Sequence, residues 1–293
     1  MPWKIHKKRH LTSFQVIILG FAGVILFGAL ILMLPISSAQ AIITPFHKAL
    51  FTSTSAVCVT GLVVLDTGSY WSVFGQTVIM FLIQIGGLGV ITTATAVFIL
   101  SGRKISILQR STMQNAISAP KVGGIVRLMS FILKGTLLIE LIGALFMIPV
   151  FCHDFGLRGI WMAIFHSVSA FCNAGMDIVR DDSLRSYVTN PVMNFTTMGL
   201  IILGGLGFVV WKDLWQGFKK IVKDKVPVKR MIQQWRFQTK IVLSITSFLI
   251  LFGTILIFMF EYHNPATMES LSLPQKIQAS LFQSVTTRTA GFE

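Results

Sequence analysis

Charged residues are scarce in this sequence: only 12% of its 293 residues are Asp, Glu, Lys or Arg, about half the share found in an ordinary soluble domain. That scarcity, beside 53% hydrophobic residues, excludes a soluble single-domain protein. Acidic residues are scarcer still, 11 against 25 basic ones. No nucleophile and base pair, phosphate-cradling glycine loop or metal cluster stands outside the apolar stretches, so an enzyme is the reading these residues serve worst. Cysteine is limited to Cys58, Cys152 and Cys172, too few for a disulfide framework and spaced unlike a zinc site.

What the chain has instead is long apolar runs. A helix needs about 20 apolar residues to cross roughly 30 Å of hydrocarbon. Phe14 to Leu34, Val73 to Leu100, Met129 to Phe151 (interrupted by Lys134 and Glu140), Val192 to Trp211 and Ile241 to Phe260 are five candidate spans. The first follows Lys4, Lys7, Lys8 and Arg9, as a signal peptide would. It is longer than a secretory hydrophobic region and no small-residue cleavage site fits after it, so it is read as a retained span.

A net charge of +14 in a soluble protein would suggest nucleic acid as a partner. Its distribution argues for topology and against nucleic acid. Segments 1–13, 101–127 and 212–240 hold 18 of the 25 basic residues, whereas Asp66, Asp154, Asp177, Asp181, Asp182, Glu261 and Glu269 fall in the others. By the positive-inside rule the N-terminus and both basic loops are cytoplasmic. Their charge also attracts anionic lipid head groups of the bilayer.

An internal repeat organises these spans. Phe51-Thr-Ser-Thr-Ser-Ala-Val-Cys-Val-Thr-Gly61 aligns without gaps with Phe165-His-Ser-Val-Ser-Ala-Phe-Cys-Asn-Ala-Gly175, and downstream Gly86-Gly-Leu-Gly89 matches Gly204-Gly-Leu-Gly207. A third copy, one residue shorter, runs from Phe282 to Gly291 and Phe292. Each complete copy crosses the membrane twice, so successive copies point the same way, and parallel repeats suggest a pseudo-rotation axis along the membrane normal. The fold class expected is an all-α integral membrane protein of parallel repeats, each a helix, a re-entrant pore loop and a helix. Two repeats are complete and the third has its first helix and pore loop. The boundaries are a basic N-terminus 1–13, repeat 1 over 14–100 with pore loop 45–62, a basic loop 101–127, repeat 2 over 128–211 with pore loop 159–176, a basic loop 212–237, and repeat 3 over 238–293 with pore loop 275–292.

The loop chemistry suits a monovalent cation. Pro45 can open a short helix, and Phe46 to Val57 would span about 18 Å, roughly half the hydrocarbon depth. Its C-terminal end carries partial negative charge and faces the membrane centre. Backbone off the helix at that depth must be buried or line a watery cavity, and glycine lets successive carbonyls turn toward an axis where they replace a potassium ion's hydration shell. The carbonyls of 58–61, 172–175 and 288–291 are the expected lining, with Val59, Thr60, Gly61, Asn173, Ala174, Gly175, Thr289, Ala290 and Gly291 as the ion-binding residues.

Other conspicuous residues have plainer readings. Gly86, Gly87, Gly89, Gly204, Gly205 and Gly207 read as packing sites or bends. Cys58 and Cys172 occupy equivalent positions, but Arg288 stands near that place in the third copy and repels a soft metal, so no transition-metal site is expected. Lys134 can snorkel to the interface, which leaves Glu140 as a candidate for an interhelical contact. His47 and His166 read as interfacial or packing residues.

Ser55-Ala-Val-Cys-Val-Thr-Gly61-Leu, Ser169-Ala-Phe-Cys-Asn-Ala-Gly175-Met and Thr287-Arg-Thr-Ala-Gly291-Phe resemble the first three pore loops of the Trk/Ktr/HKT potassium-transporter superfamily. The resemblance is closest to the bacterial Ktr membrane subunit, also called the sodium-ATPase-linked subunit J. It implies four such repeats around one pore, with Gly61, Gly175 and Gly291 as filter glycines. It also implies a homodimer resting on a cytosolic ring of nucleotide-binding regulatory subunits, faced by the basic segments 101–127 and 212–240. A serine at the first glycine accompanies sodium transport in plant relatives, so Gly61 points to potassium. Family proteins carry four repeats, so these residues read as an N-terminal fragment that conducts nothing alone. The function expected of the whole is potassium uptake across the cell membrane, with potassium as substrate, sodium as the candidate coupling ion and no covalent cofactor. The alternative is a sodium-translocating or non-conducting accessory subunit of a sodium ATPase. A substrate-coupled secondary carrier would need ionisable groups at the midplane, where only Glu140 qualifies.

Overall fold

A computed structural model describes residues 12–90, 92–93, 124–179, 183–225 and 227–292. Nearly all of the basic segments expected at 1–13 and 101–127, with Asp181 and Asp182, lie outside the described residues.

Ten α-helices make up the described fold. Helix α1 (Ser13–Leu32) opens on a capping box, in which Thr12 Oγ1 accepts from the Gln15 backbone while the Gln15 side chain accepts from the Thr12 N–H. A short helix α2 (Phe46–Cys58) follows Pro45, and α3 (Val73–Leu88) is capped by Ser72. The second set is α4 (Ile125–Phe155), α5 (Arg158–Phe171) and α6 (Pro191–Gly205), the last capped by Asn190 with proline in its first turn. Then come α7 (Phe208–Asp224), α8 (Val228–Gln234), the long α9 (Phe237–Glu261), and α10 (Leu273–Thr286), which opens on a Ser272 and Gln275 capping box. These caps satisfy N–H groups that the first turn of a helix leaves unpaired.

Three of these helices are long and apolar enough to cross a membrane: Phe14–Leu32, Val126–Phe155 and Phe237–Glu261. The second predicted span holds the shorter apolar helix Val73–Leu88. The run predicted as one span from Val192 to Trp211 is broken, because α6 and α7 meet at 106°. Gly207 at the break has φ 84° and ψ 148°, a left-handed value that suits glycine. Trp211 Nε1 donates to the Leu203 carbonyl at 2.8 Å, which satisfies an acceptor left free where the helix stops. The stretch 212–237, expected as a loop, carries most of α7 and all of α8.

The short helices are the inner ones. Helix α2 packs between α1 and α3, α5 between α4 and α6, and α10 against α9 and α6, while α3 also meets α5. Ala49, Ala56, Val57, Met162, Phe165, Phe171, Phe282 and Val285 from the short helices enter one hydrophobic cluster with Trp71, Ile83 and Phe151. The long helices turn Phe14, Phe27, Leu141, Phe146, Phe252 and Phe260 outward. Apolar side chains on the outward faces are what a bilayer demands of the helices that face it.

Candidate functional site

Each short helix ends in a loop that reaches a glycine. After α2 come Val59, Thr60 and Gly61; after α5 come Cys172, Asn173, Ala174 and Gly175; after α10 come Thr287, Arg288, Thr289, Ala290 and Gly291. All three glycines are left-handed, at φ 75°, 66° and 79°. The first two loops also hold a non-glycine residue in that region, Val59 at 57° and Asn173 at 60°. The third has one residue fewer and needs none. There the N–H that bonds to the carbonyl five residues back belongs to Gly291 itself, pairing with Thr286, where Thr60 pairs with Ser55 and Ala174 with Ser169. The missing residue is absorbed before the glycine.

The three loops come together. A β-carbon on Gly61 would sit 2.5 Å from the Ala174 carbonyl oxygen and 3.6 Å from that of Ala290. One on Gly175 would collide with the Ala290 carbonyl oxygen, whereas around Gly291 the space is open. Loop 2 therefore lies between loops 1 and 3. Thr289 Oγ1 donates to Asn173 Oδ1 at 2.8 Å and ties the last two together. On the free sides, Thr60 and Leu62 to Val64 of loop 1 and Thr289 and Gly291 of loop 3 are exposed.

Two hydroxyl contacts hold every loop, and sequence reasoning had not singled either out. Ser55 donates to the carbonyl of Leu62 (2.7 Å), Ser169 to that of Met176 (2.5 Å) and Thr286 to that of Phe292 (2.9 Å), each time the residue directly after the glycine. Ser53 donates to the Ile25 carbonyl (2.7 Å), Ser167 to that of Glu140 (2.6 Å) and Ser284 to that of Ile250 (2.9 Å), which fastens the short helix to the long one before it. Three residues beyond each acceptor stands a glycine. β-Carbons on Gly28, Gly143 and Gly253 would lie 2.6, 2.6 and 2.5 Å from those serine oxygens. The serines were visible in the repeat alignment. Their glycine partners could have been found by extending that alignment into the preceding span.

The remaining predicted residues fall as follows. Gly86 and Gly204 lie where a β-carbon would run into the carbonyls of Val57 and Phe171, so α3 and α6 pass close by the ends of α2 and α5. Glu140 is buried and accepts from Gln84 Nε2 at 2.9 Å, an interhelical bond between α3 and α4. Lys134 and His47 are exposed. His166 is buried, with Nδ1 2.8 Å from the Met162 carbonyl and its ring stacked on Phe292. Cys58 is exposed, while Cys172 is buried against Gly87.

A family model described as a cation transport protein, TrkH, matches residues 5–293. The chain is 39% identical over 97% of its length to the potassium/sodium uptake protein NtpJ of Enterococcus hirae. It is 40% identical over 99% of its length to Ktr system potassium uptake protein B of Bacillus subtilis, and 38% identical over 95% to the protein of that name from Vibrio alginolyticus. It spans 60%, 62% and 58% of those three proteins' own lengths. The resemblance carried by the three loops is thus borne out, and the family is one of membrane transporters rather than enzymes. This chain belongs to the TrkH family of cation transport proteins.

Proposed function

We propose that the chain is the ion-translocating part of a potassium uptake transporter of the Ktr/Trk kind, channel-like, in a cell membrane. The observation that carries this reading is the convergence of Gly61, Gly175 and Gly291, each left-handed and each following the C-terminal end of a short inner helix. Three helix ends of partial negative charge favour a cation between them. The carbonyls of Val59, Thr60, Gly61, Asn173, Ala174, Gly175, Thr289, Ala290 and Gly291 replace its hydration shell. Potassium is the substrate, and sodium is the coupling ion to test.

A fourth loop of the same kind, which the family resemblance implies, packs on the exposed residues of loops 1 and 3. The filter closes only with it, so these 293 residues do not conduct alone. The N-terminus is cytoplasmic, two copies pair, and a cytosolic nucleotide-binding ring regulates them. The system proteins named above support such a partnership.

Expression of the complete gene in a strain lacking potassium uptake tests the reading, with growth on low potassium and rubidium uptake as the expected outcome. No rescue, together with loss of sodium pumping when the gene is deleted, would favour the accessory subunit of a sodium ATPase. Because one relative is named for both ions, sodium flux belongs in the same assay.

A further inference from the structure

Helix α7 leaves α6 at 106°, so with α6 running through the bilayer α7 runs nearly along its surface. Its residues sort into three strips. Val210, Asp213 and Gly217 are buried. Asp213 accepts from Thr239 Oγ1 at 2.7 Å and lies 3.5 Å from Arg236 Nε, and Gly217 leaves room for Met231 and Trp235. That strip holds α8 and α9 and fixes which way the rest of α7 faces.

The second strip is apolar and largely open, with the Trp215 ring also meeting Phe131 of α4 at 6.5 Å. Trp215, Phe218 and Val222 follow one another at helical spacing, exposed by 48%, 56% and 61%, with the Trp215 and Phe218 rings stacked at 6.2 Å. The third strip runs directly beside it. Lys212, Lys219 and Lys223 share that line, and Lys219 Nζ lies 5.3 Å from the centre of the Trp215 ring. An aromatic and aliphatic edge bordered by lysines, on a helix lying along the surface, matches the boundary between acyl chains and head groups. A helix lying along the surface sets that apolar edge at the depth of the acyl boundary and the lysines at the depth of the head groups, which is what favours lipid as the occupant.

We propose that α7 is an interfacial helix: Trp215, Phe218 and Val222 enter the acyl boundary of the protein's own bilayer, and Lys212, Lys219 and Lys223 bind phosphate-bearing head groups of anionic phospholipids. Tryptophan sits well at that depth because its ring is apolar and its N–H is polar. The assignment depends on α6 lying across the membrane and not on which ion passes, so a failed uptake assay leaves it untouched.

The test uses purified protein in nanodiscs containing equal mole fractions of either dibrominated phosphatidylglycerol or dibrominated phosphatidylcholine. Bromine quenches nearby tryptophan, and the Trp215→Phe variant supplies the signal of the other tryptophans for subtraction. The Trp215 component should be quenched about twofold more by the anionic lipid. That preference should fall with added salt and vanish in Lys212→Gln/Lys219→Gln/Lys223→Gln, whose substitutions leave the buried strip intact. Equal quenching by both lipids would overturn the head-group assignment. No quenching by either would overturn the interfacial placement and show that protein covers this face.

Discussion

The carbonyl oxygen of Ala290 occupies the space into which a side chain on Gly175 would project, while no atom stands within 4 Å of the corresponding place on Gly291. Two glycines at equivalent positions therefore carry different steric demands. In the 293-residue chain, Gly175→Ala should lower the melting temperature in detergent well beyond Gly291→Ala, which meets only the left-handed penalty of about 1–2 kcal/mol. In a pore closed by a fourth loop, as the proposed function has it, the two should become equally damaging to rubidium uptake, since that loop would crowd Gly291. A Gly291→Ala variant that transports normally there would argue against such a loop.

Gly253 and Ser284 form the simplest of the three glycine and serine contacts. A methyl at 253 would lie 2.5 Å from the serine oxygen and 3.3 Å from its β-carbon. Gly253→Ala should destabilise by about 1–3 kcal/mol through overpacking, and Ser284→Ala by about 1 kcal/mol through its lost bond to the Ile250 carbonyl. The double variant should be more stable than their sum predicts. Strict additivity in denaturation of the three proteins would show that the two residues do not meet.

Gln84 and Glu140 are the polar link between α3 and α4. Gln84→Leu leaves a buried acceptor without its donor, a loss of about 1–3 kcal/mol. Glu140→Gln keeps an oxygen able to accept from Gln84 and should be far milder. Thermal melts of the two variants compare them directly, and equal losses would mean that the carboxylate itself is needed.

Val59 sits at φ 57°, where its equivalent in the second loop is Asn173. A β-branched side chain is strained in that region, and asparagine tolerates it. Val59→Asn should therefore stabilise the chain by about 1 kcal/mol. An unchanged or lower melting temperature would mean that the contact of Val59 with α3 outweighs the backbone strain.

Much of the site was legible because it repeats. The gapless match of Phe51 to Gly61 with Phe165 to Gly175 located two short helices and two glycines, and Pro45 marked where the first helix opens. Gly207 reads from the sequence as a packing site or a bend, but a turn of 106° there is not legible because the apolar run continues through it: hydropathy records how greasy a segment is and says nothing of its direction. The bonds from Ser53 to Ile25 and from Ser284 to Ile250 were hidden for another reason. They join residues 28 and 34 apart, a separation that no helical period predicts.

Local chemistry written along the chain determined the apolar spans, the threefold recurrence and the glycines at 61, 175 and 291, since composition and spacing are properties of the chain before it folds. Only the tertiary structure decided that loop 2 lies between the other two, that Gly175 is crowded where Gly291 is open, and that α7 turns Trp215, Lys219 and Lys223 outward. Those outcomes depend on how closely helices distant in sequence approach, and side-chain volumes and backbone angles at a few glycines set that distance.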